Sequence, residues 1–277
     1  MDRVFPYRIL VTILTIGLLL GTGCTQDQNT KSGEENVATI GVVLPQTGPA
    51  GTIGGKAKEG LEVAESTLPV QVVYEDSRST TTGGVNAFQS LLTKQDTPDA
   101  IISLMSSVGK ALIPMAEDRQ IATMHIASAP GIAKGHKYAF RWYITSDMQM
   151  EYLVDYLRKD NIESEKIAFL HLNDDYGKGS LQAFSKHLDS LGLDKKVFSE
   201  SYQPDQSNFR SILAKVKNFN PDVIALVGYS SSLGTLVKQI RQLDIEAKLI
   251  GDDAVSYPQI LSAAGSAANG FVFAGLP

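Results

Sequence analysis

The chain contains two similar segments, PDAIISL at residues 98–104 and PDVIALV at residues 221–227, and they indicate its fold. Each copy leads through a serine-containing loop, MSS at 105–107 and GYSSS at 228–232, into an amphipathic segment. Short continuous apolar runs are typical of strands that are buried on both faces of a parallel sheet. The repeat predicts two similar halves, although buried strands are narrow in composition and two of them can also resemble each other by chance.

Around both copies, β-branched or aliphatic runs alternate with segments of helical periodicity. Strands are predicted at residues 37–44, 70–74, 100–104 and 121–127, and again at 166–172, 196–202, 222–227 and 247–251. Helices are predicted at residues 54–66, 85–94 and 107–119, and again at 148–159, 180–191, 209–218 and 233–243. This alternation predicts an α/β fold with two Rossmann-like lobes, each a parallel sheet covered by helices. Ligands bind beyond the carboxyl ends of such strands, so two facing sheet edges predict a cleft.

The first 23 residues differ in composition from the rest of the chain. An apolar run covers residues 9–20 and small residues lead to Cys24. The run is shorter than the roughly 20 residues of a membrane-spanning helix, so it predicts a signal peptide. Cys24 is the only cysteine, which excludes an intrachain disulfide, and its position resembles the lipobox of bacterial lipoproteins. That resemblance implies lipidation of Cys24; the alternative is a lone buried thiol. Residues 24–36 are predicted to form a flexible polar tether.

Composition and motifs argue against other function classes. The formal net charge of −5 offers nothing that favours nucleic acid. In GPAGTIGG at residues 48–55, Pro49 and the glycine spacing break the dinucleotide fingerprint, and residues 228–232 lack the last glycine of a hydrolase elbow. The four histidines have no metal-ligand spacing and are expected to be structural. We therefore predict no enzyme, no cofactor and no metal.

Six short motifs occur in the order and spacing of type I periplasmic binding proteins. They are IGVVLPQTGPAGTIGGKAKEGLEVA (40–64), MSS (105–107), IASAP (126–130), DDYGKG (174–179), VGYSSSLG (227–234) and IGDDAV (250–255). The similarity is closest to the branched-chain amino acid, amide and urea-binding branch and covers residues 37–277. It implies an exported, lipid-anchored substrate-binding protein that faces the periplasm or the cell exterior and delivers a captured solute to the permease of an ABC transporter. A ligand-sensing receptor domain is the alternative, and a Rossmann-type enzyme is less favoured.

The resemblance also implies ligand contacts on both lobes, at Ser106, Ala127, Ser128, Tyr176, Tyr229 and Asp253. These groups suit an amino acid zwitterion, because serine hydroxyls and backbone N–H groups at a helix start can bind the carboxylate while Asp253 can pair with the ammonium. The alternative is local: the serines could cap helices and Asp253 could be an ordinary turn residue. Ile53 and Met105 predict a roomier and more apolar pocket than in relatives.

By the same resemblance, the lobes are expected at residues 37–143 and 144–270, with 271–277 starting a second crossover between them. Hinge strands are expected near 140–145 and 271–277, and closure of the lobes is expected to trap the ligand. Relatives continue through further βα units, so we expect a missing C-terminal part. The first lobe is then expected to contain only the units built from residues 37 to about 127, with exposed apolar surface where neighbours are absent.

Overall fold

A computed structural model of the chain describes residues 37–94, 97–159 and 166–275. The predicted signal peptide, Cys24 and the tether lie outside the described residues. Within the described ranges, no helix combines the length and the hydropathy that crossing a membrane requires.

The first lobe is a five-stranded parallel sheet in the order β2-β1-β3-β4-β5. Its strands are β1 (Ala38–Leu44), β2 (Val70–Asp76), β3 (Ala100–Leu104), β4 (Ala122–Ile126) and β5 (Ala139–Arg141). Its helices are α1 (Gly51–Thr67), α2 (Thr81–Thr93) and α3 (Ser106–Glu117). Four of the strands were predicted within two residues of their bounds. Strand β5 overlaps the hinge strand expected near residues 140–145, but it pairs with β4 and so extends the first sheet beyond residue 127, where the last unit of this lobe was expected.

The second lobe is a parallel sheet in the order β10-β9-β8-β6-β7. Its strands are β6 (Lys166–Leu172), β7 (Lys196–Tyr202), β8 (Val223–Val227), β9 (Lys248–Asp252) and β10 (Val272–Ala274). Its helices are α4 (Ser146–Lys159), α5 (Asp175–Ser190), α6 (Arg210–Phe219), α7 (Ser231–Gln242) and α8 (Pro258–Ala264). Read from the opposite edge, this order repeats that of the first lobe. The two copies of the repeated stretch, β3 and β8, take the same central place, and the predicted two-lobed α/β fold is confirmed.

Several helices begin earlier than their apolar periodicity predicted, because polar caps add a first turn. Thr80 Oγ1 accepts a hydrogen bond from Gly83 N (2.9 Å) at the start of α2, and Asp174 Oδ1 accepts one from Gly177 N (2.8 Å) at the start of α5. A capping side chain satisfies an N–H group that has no partner within the helix. The added turn of α5 brings Tyr176 to the end of the sheet, where a ligand would bind.

Both faces of the second sheet are packed. Phe169 and Leu170 of β6 are fully buried in separate clusters, and so are Ala225 and Leu226 of β8. Neighbouring residues of a strand point to opposite faces, so helices cover this sheet on both sides. The first sheet differs, because apolar side chains of its β4–β5 edge are exposed: Met124 by 38%, Phe140 by 53% and the following Trp142 by 65%.

His125 belongs to the core of the first lobe and not to a reactive site. Its ring nitrogens contact Ser103 Oγ (2.7 Å) and Thr123 Oγ1 (2.8 Å), and the side chain is fully buried. Burial lowers the pKa of His125 to about 4, with a smaller contribution from His136. The imidazole is therefore neutral at physiological pH and serves as a polar link between strands.

Candidate ligand-binding cleft

A cavity lies between the two lobes, where the carboxyl ends of both sheets meet. Its empty volume is about 690 Å³, including the part open to solvent. Loops that follow β3 and β4 line one side, and loops that follow β6, β8 and β9 line the other. The six residues nominated from the sequence all line this cavity: Ser106, Ala127, Ser128, Tyr176, Tyr229 and Asp253.

Ser106 contributes a hydroxyl at the start of α3. The residue is 5% exposed, and its Oγ accepts a hydrogen bond from Ala129 N at 3.1 Å. Met105, not Ser106, is the N-cap of the helix, and no side chain caps it. The capping alternative is therefore wrong for Ser106. Because its oxygen accepts from the backbone, its proton is free to be donated elsewhere.

The wall of the first lobe is otherwise apolar. Ile53 and Met105 line the cavity, together with Ala50, Leu104 and Ile126. Met105 has a φ of 87°, although its N–H still donates to Ile126 O at 3.2 Å. A residue with a side chain pays for a positive φ, and such strain concentrates at functional sites. The strained turn places the start of α3 beside the cavity.

Asp253 is held by a network on the second-lobe side. Its Oδ2 accepts from Tyr143 Oη (2.5 Å) and from Tyr257 Oη (3.4 Å), and its Oδ1 accepts from Gln149 Nε2 (2.5 Å). Asp253 is only 8% exposed. The carboxylate is thus fixed in orientation, while its remaining lone pairs can accept further hydrogen bonds.

The adjacent Asp252 performs the turn role that was considered for both aspartates. Its Oδ1 accepts from Ala254 N (3.1 Å), and its Oδ2 accepts from Gly228 N (3.3 Å) and from the Tyr176 hydroxyl. The residue is fully buried, and desolvation raises its pKa to about 8, with Asp253 adding to the effect. Asp252 therefore ties β9 to α5 and to the loop after β8, and the Tyr176 hydroxyl proton is committed to it. Asp253 itself begins the turn Asp253–Ser256, but its side chain contacts Tyr143, Gln149 and Tyr257 and not the backbone of that turn.

Asp174 is a second carboxylate of the cavity wall. Besides capping α5, it accepts a hydrogen bond from Tyr229 Oη through Oδ2, at 3.0 Å. Burial raises the pKa of Asp174, while its hydrogen bonds to Gly177 and Tyr229 oppose that effect. The rings of Tyr176 and Tyr229 lie side by side, with centroids 6.2 Å apart.

An ion pair joins the lobes outside the cavity. Lys110 Nζ of α3 lies 3.1 Å from Asp175 Oδ1 of α5, and the two side chains are 67% and 40% exposed. Helix α3 belongs to the first lobe and α5 to the second, so this contact requires the lobes to be close together.

The charge of the cavity wall is one-sided. Asp174 and Asp253 line it, and among its lining residues, all of which the structure describes, none is Lys, Arg or His. Across the described ranges of the chain, no group of three or more His, Cys, Asp or Glu side chains is placed to hold a metal ion. The arrangement provides hydrogen bonds and negative charge, which suit binding.

Four polar residues of the wall were not nominated from the sequence: Ser107, Tyr143, Asp174 and Tyr257. Asp174 opens the DDYGKG motif, and its place before Tyr176 is a typical N-cap position that could have identified it. Tyr143 and Tyr257 lie outside every motif, and no local signal distinguishes them from surface tyrosines.

Among curated proteins, the chain is similar to a Leu/Ile/Val-binding protein homolog from Brucella melitensis, with 25% identity over 247 residues. It is also similar to the Leu/Ile/Val-binding protein BraC3 from Rhizobium johnstonii, with 27% identity over 250 residues. Both alignments cover 85% of this chain and 66% of the relative, so the chain spans about two thirds of the length of these relatives.

Two solved structures share the fold. One is the leucine-binding protein LivK from Thermotoga maritima, with a TM-score of 0.77 and 25% identity, covering 84% of this chain and 68% of that one. The other is LivJ from Streptococcus pneumoniae in complex with isoleucine, with a TM-score of 0.72 and 20% identity, covering 83% and 68%.

These relatives are ligand-binding proteins and not enzymes, in agreement with the sequence-based prediction. The model of the family described as periplasmic binding protein matches residues 37–276. That match covers both lobes and the whole cavity wall, and the chain belongs to the periplasmic binding protein family.

Proposed function

We propose that this chain is the extracytoplasmic substrate-binding component of an ABC importer and that it captures an amino acid with an apolar side chain. The observation that carries the proposal is the meeting of donors from one lobe and carboxylates from the other around a single cavity. Each end of a zwitterion would then find its complement on a different lobe. Closure of the lobes would be coupled to binding, because only the closed form provides both sets of contacts.

The ligand carboxylate would bind at the start of α3. Ser106 has a hydroxyl proton available, and the first N–H groups of α3, which have no partner within the helix, lie at the same end of α3 as Ser106. The positive end of the helix dipole adds to this attraction. Ala127 and Ser128, which follow β4, would complete the pocket for this end of the ligand.

The ligand ammonium would bind Asp253. Its carboxylate is oriented by Tyr143 and Gln149 and is nearly buried. A charge-assisted hydrogen bond in a cleft that excludes water is stronger than the same bond in solution. The apolar wall of Ile53, Leu104, Met105 and Ile126 would receive the ligand side chain, as the printed names of the Leu/Ile/Val-binding relatives suggest.

Calorimetry with purified protein tests the proposal, using leucine, isoleucine, valine, small amides, urea and small carboxylates as ligands. We expect the aliphatic amino acids to bind most tightly. Asp253→Ala should weaken that binding by about 2 to 5 kcal/mol, because the ammonium is then buried without a counter-charge. Asp189→Ala, which changes an exposed aspartate on α5, is the matched control and should have no effect. Unchanged affinity of the Asp253 variant, or no amino acid binding at all, would contradict the proposal.

Membrane attachment through Cys24 is a further part of the proposal and rests on the sequence alone. Lipid chains hold a protein at the bilayer by burying methylene groups. If Cys24 carries the lipid, Cys24→Ser should move the protein from the membrane fraction to the supernatant. Persistence of the variant in the membrane fraction would point to another anchor.

A further inference from the structure

The tyrosine hydroxyls of the cavity lie against carboxylates. Tyr143 donates to Asp253, Tyr229 to Asp174 and Tyr176 to Asp252. The Tyr257 hydroxyl lies 3.4 Å from Asp253 Oδ2 and 3.2 Å from the Tyr143 hydroxyl, so its proton is also used within this group. A hydroxyl has one proton to donate, and its remaining capacity is as an acceptor. The second-lobe wall therefore offers a ligand lone pairs and almost no donors, so a group bound there must bring its own N–H or O–H.

A buried acceptor lies beside Asp253, on Gln149, which is not among the residues that line the cavity. Gln149 is fully buried and its Nε2 donates to Asp253 Oδ1. Its Oε1 has no hydrogen-bond partner among the described residues. An unsatisfied buried acceptor is costly, and this one belongs to the amide that already contacts the carboxylate.

The negative charges of the cavity wall have no positively charged side chain beside them in the wall. Asp174 and Asp253 line the cavity, and its described lining contains no basic side chain. The positive features on the other lobe are partial charges only, namely the start of α3 and the hydroxyls of Ser106, Ser107 and Ser128. A ligand cation would compensate the excess negative charge, whereas a ligand anion without a cation would add to it.

Four tyrosine rings, Tyr143, Tyr176, Tyr229 and Tyr257, add electron-rich surface to the same wall. Aromatic faces attract ammonium groups and repel anions. Together with the apolar residues of the first lobe, they describe a site for a cationic nitrogen attached to an aliphatic group.

We infer that the cationic end of the ligand dominates recognition, so that this cavity binds an aliphatic amine without a carboxylate more tightly than the corresponding acid without an amine. The inference rests on the proposed function and narrows its ligand class. It assigns Asp253 and Asp174 as the residues that determine this preference, while the contacts at α3 refine the affinity for a complete amino acid.

The test is calorimetry with three probes that share one carbon skeleton: leucine, isopentylamine, which lacks the carboxylate, and 4-methylpentanoate, which lacks the amine. We expect leucine to bind most tightly and the amine to bind at least about tenfold more tightly than the acid, by direct titration or by displacement of leucine. If leucine binds but the acid equals or exceeds the amine, the inference is wrong and the proposed function stands. If the amine binds and leucine does not, the inference holds and the proposed function fails. If none of the three binds, both are wrong.

Two isosteric variants locate the preference. Asp253→Asn and Asp174→Asn remove a charge and keep acceptor oxygens, and Asn is also a good helix cap at position 174. Each variant should bind isopentylamine more weakly and should bind 4-methylpentanoate equally well or more tightly. The ratio of the two affinities, amine to acid, should therefore fall severalfold. Asp189→Asn on the exposed surface of α5 is the control. Equal loss for both probes in both variants would indicate structural damage without charge selection and would refute the assignment.

Discussion

The ion pair between Lys110 and Asp175 makes a sharp prediction about cleft closure. It joins α3 of the first lobe to α5 of the second lobe, at 3.1 Å. Because the two residues belong to different lobes, the pair can form only when the lobes approach. If ligand binding requires closure, any free energy from this pair is added to the free energy of binding, although neither side chain lines the cavity.

The exposure of the pair limits its contribution. Lys110 is 67% exposed and Asp175 is 40% exposed, and exposed pairs contribute about 0.2 to 1 kcal/mol. That free energy corresponds to an affinity change of about 1.4-fold to 5-fold. Lys110→Gln and Asp175→Asn should each weaken ligand binding within this range, and the loss should shrink at high ionic strength because salt screens exposed charges.

A double-mutant cycle measured by calorimetry separates the pair from other effects of each change. If the two residues act through each other, the double variant should lose less affinity than the sum of the single losses. The control is Lys56→Gln, which breaks an exposed pair with Glu59 within α1 at 2.8 Å and crosses no cleft. Additive losses, or a loss of the same size in the control, would refute the view that this contact contributes to closure.

Two further predictions concern folding. Burial raises the pKa of Asp252 to about 8, so the folded state retains a proton that the unfolded chain releases near pH 4, and stability should fall as pH rises from about 4 to about 8. Asp252→Asn should flatten this part of a pH series of urea melts; an unchanged slope would contradict it. Gly228→Ala should destabilise by about 1 to 3 kcal/mol, because a Cβ there would lie 2.1 Å from Tyr202 Oη. Adding Tyr202→Phe should recover part of that loss in thermal melts, and a purely additive double variant would show that the clash is elsewhere.

The order of helices and strands could be predicted because most elements of each lobe have a clear hydrophobic pattern in their own sequence. The sequences of β3, β6 and β8 contain continuous apolar runs. Such runs are typical of strands that are buried on both faces of a sheet, so they can be identified without knowing which residues contact them. The short strands β5 and β10 overlap the hinge strands expected near residues 140–145 and 271–277, but their place in the two sheets was not predicted, because three residues carry too little pattern to show which strand they pair with. They are strands only because a longer neighbour, β4 or β9, offers an edge for pairing.

The residues of the cavity also divide into those that could be predicted from local sequence and those that could not. Residues within motifs, such as Ser106 and Tyr176, could be nominated because a short loop after a strand defines their place. Tyr143 could not, since its contact is with Asp253, 110 positions away. The local sequence around either residue does not indicate this contact. The contact forms because the segment after β5 crosses toward the second lobe.

If Asp253 binds the ligand cation as proposed, its contact with Tyr143 fixes the carboxylate for that role. An aspartate after a strand would ordinarily bond to nearby backbone N–H groups, and Asp252 does so. Asp253 is instead oriented by Tyr143 from the crossing segment and by Gln149 from α4. Its carboxylate is therefore fixed by elements at the junction of the lobes, so movement at that junction would disturb the acceptor that the ligand cation needs. Closure and cation recognition would then share one set of hydrogen bonds, and neither could be altered without changing the other.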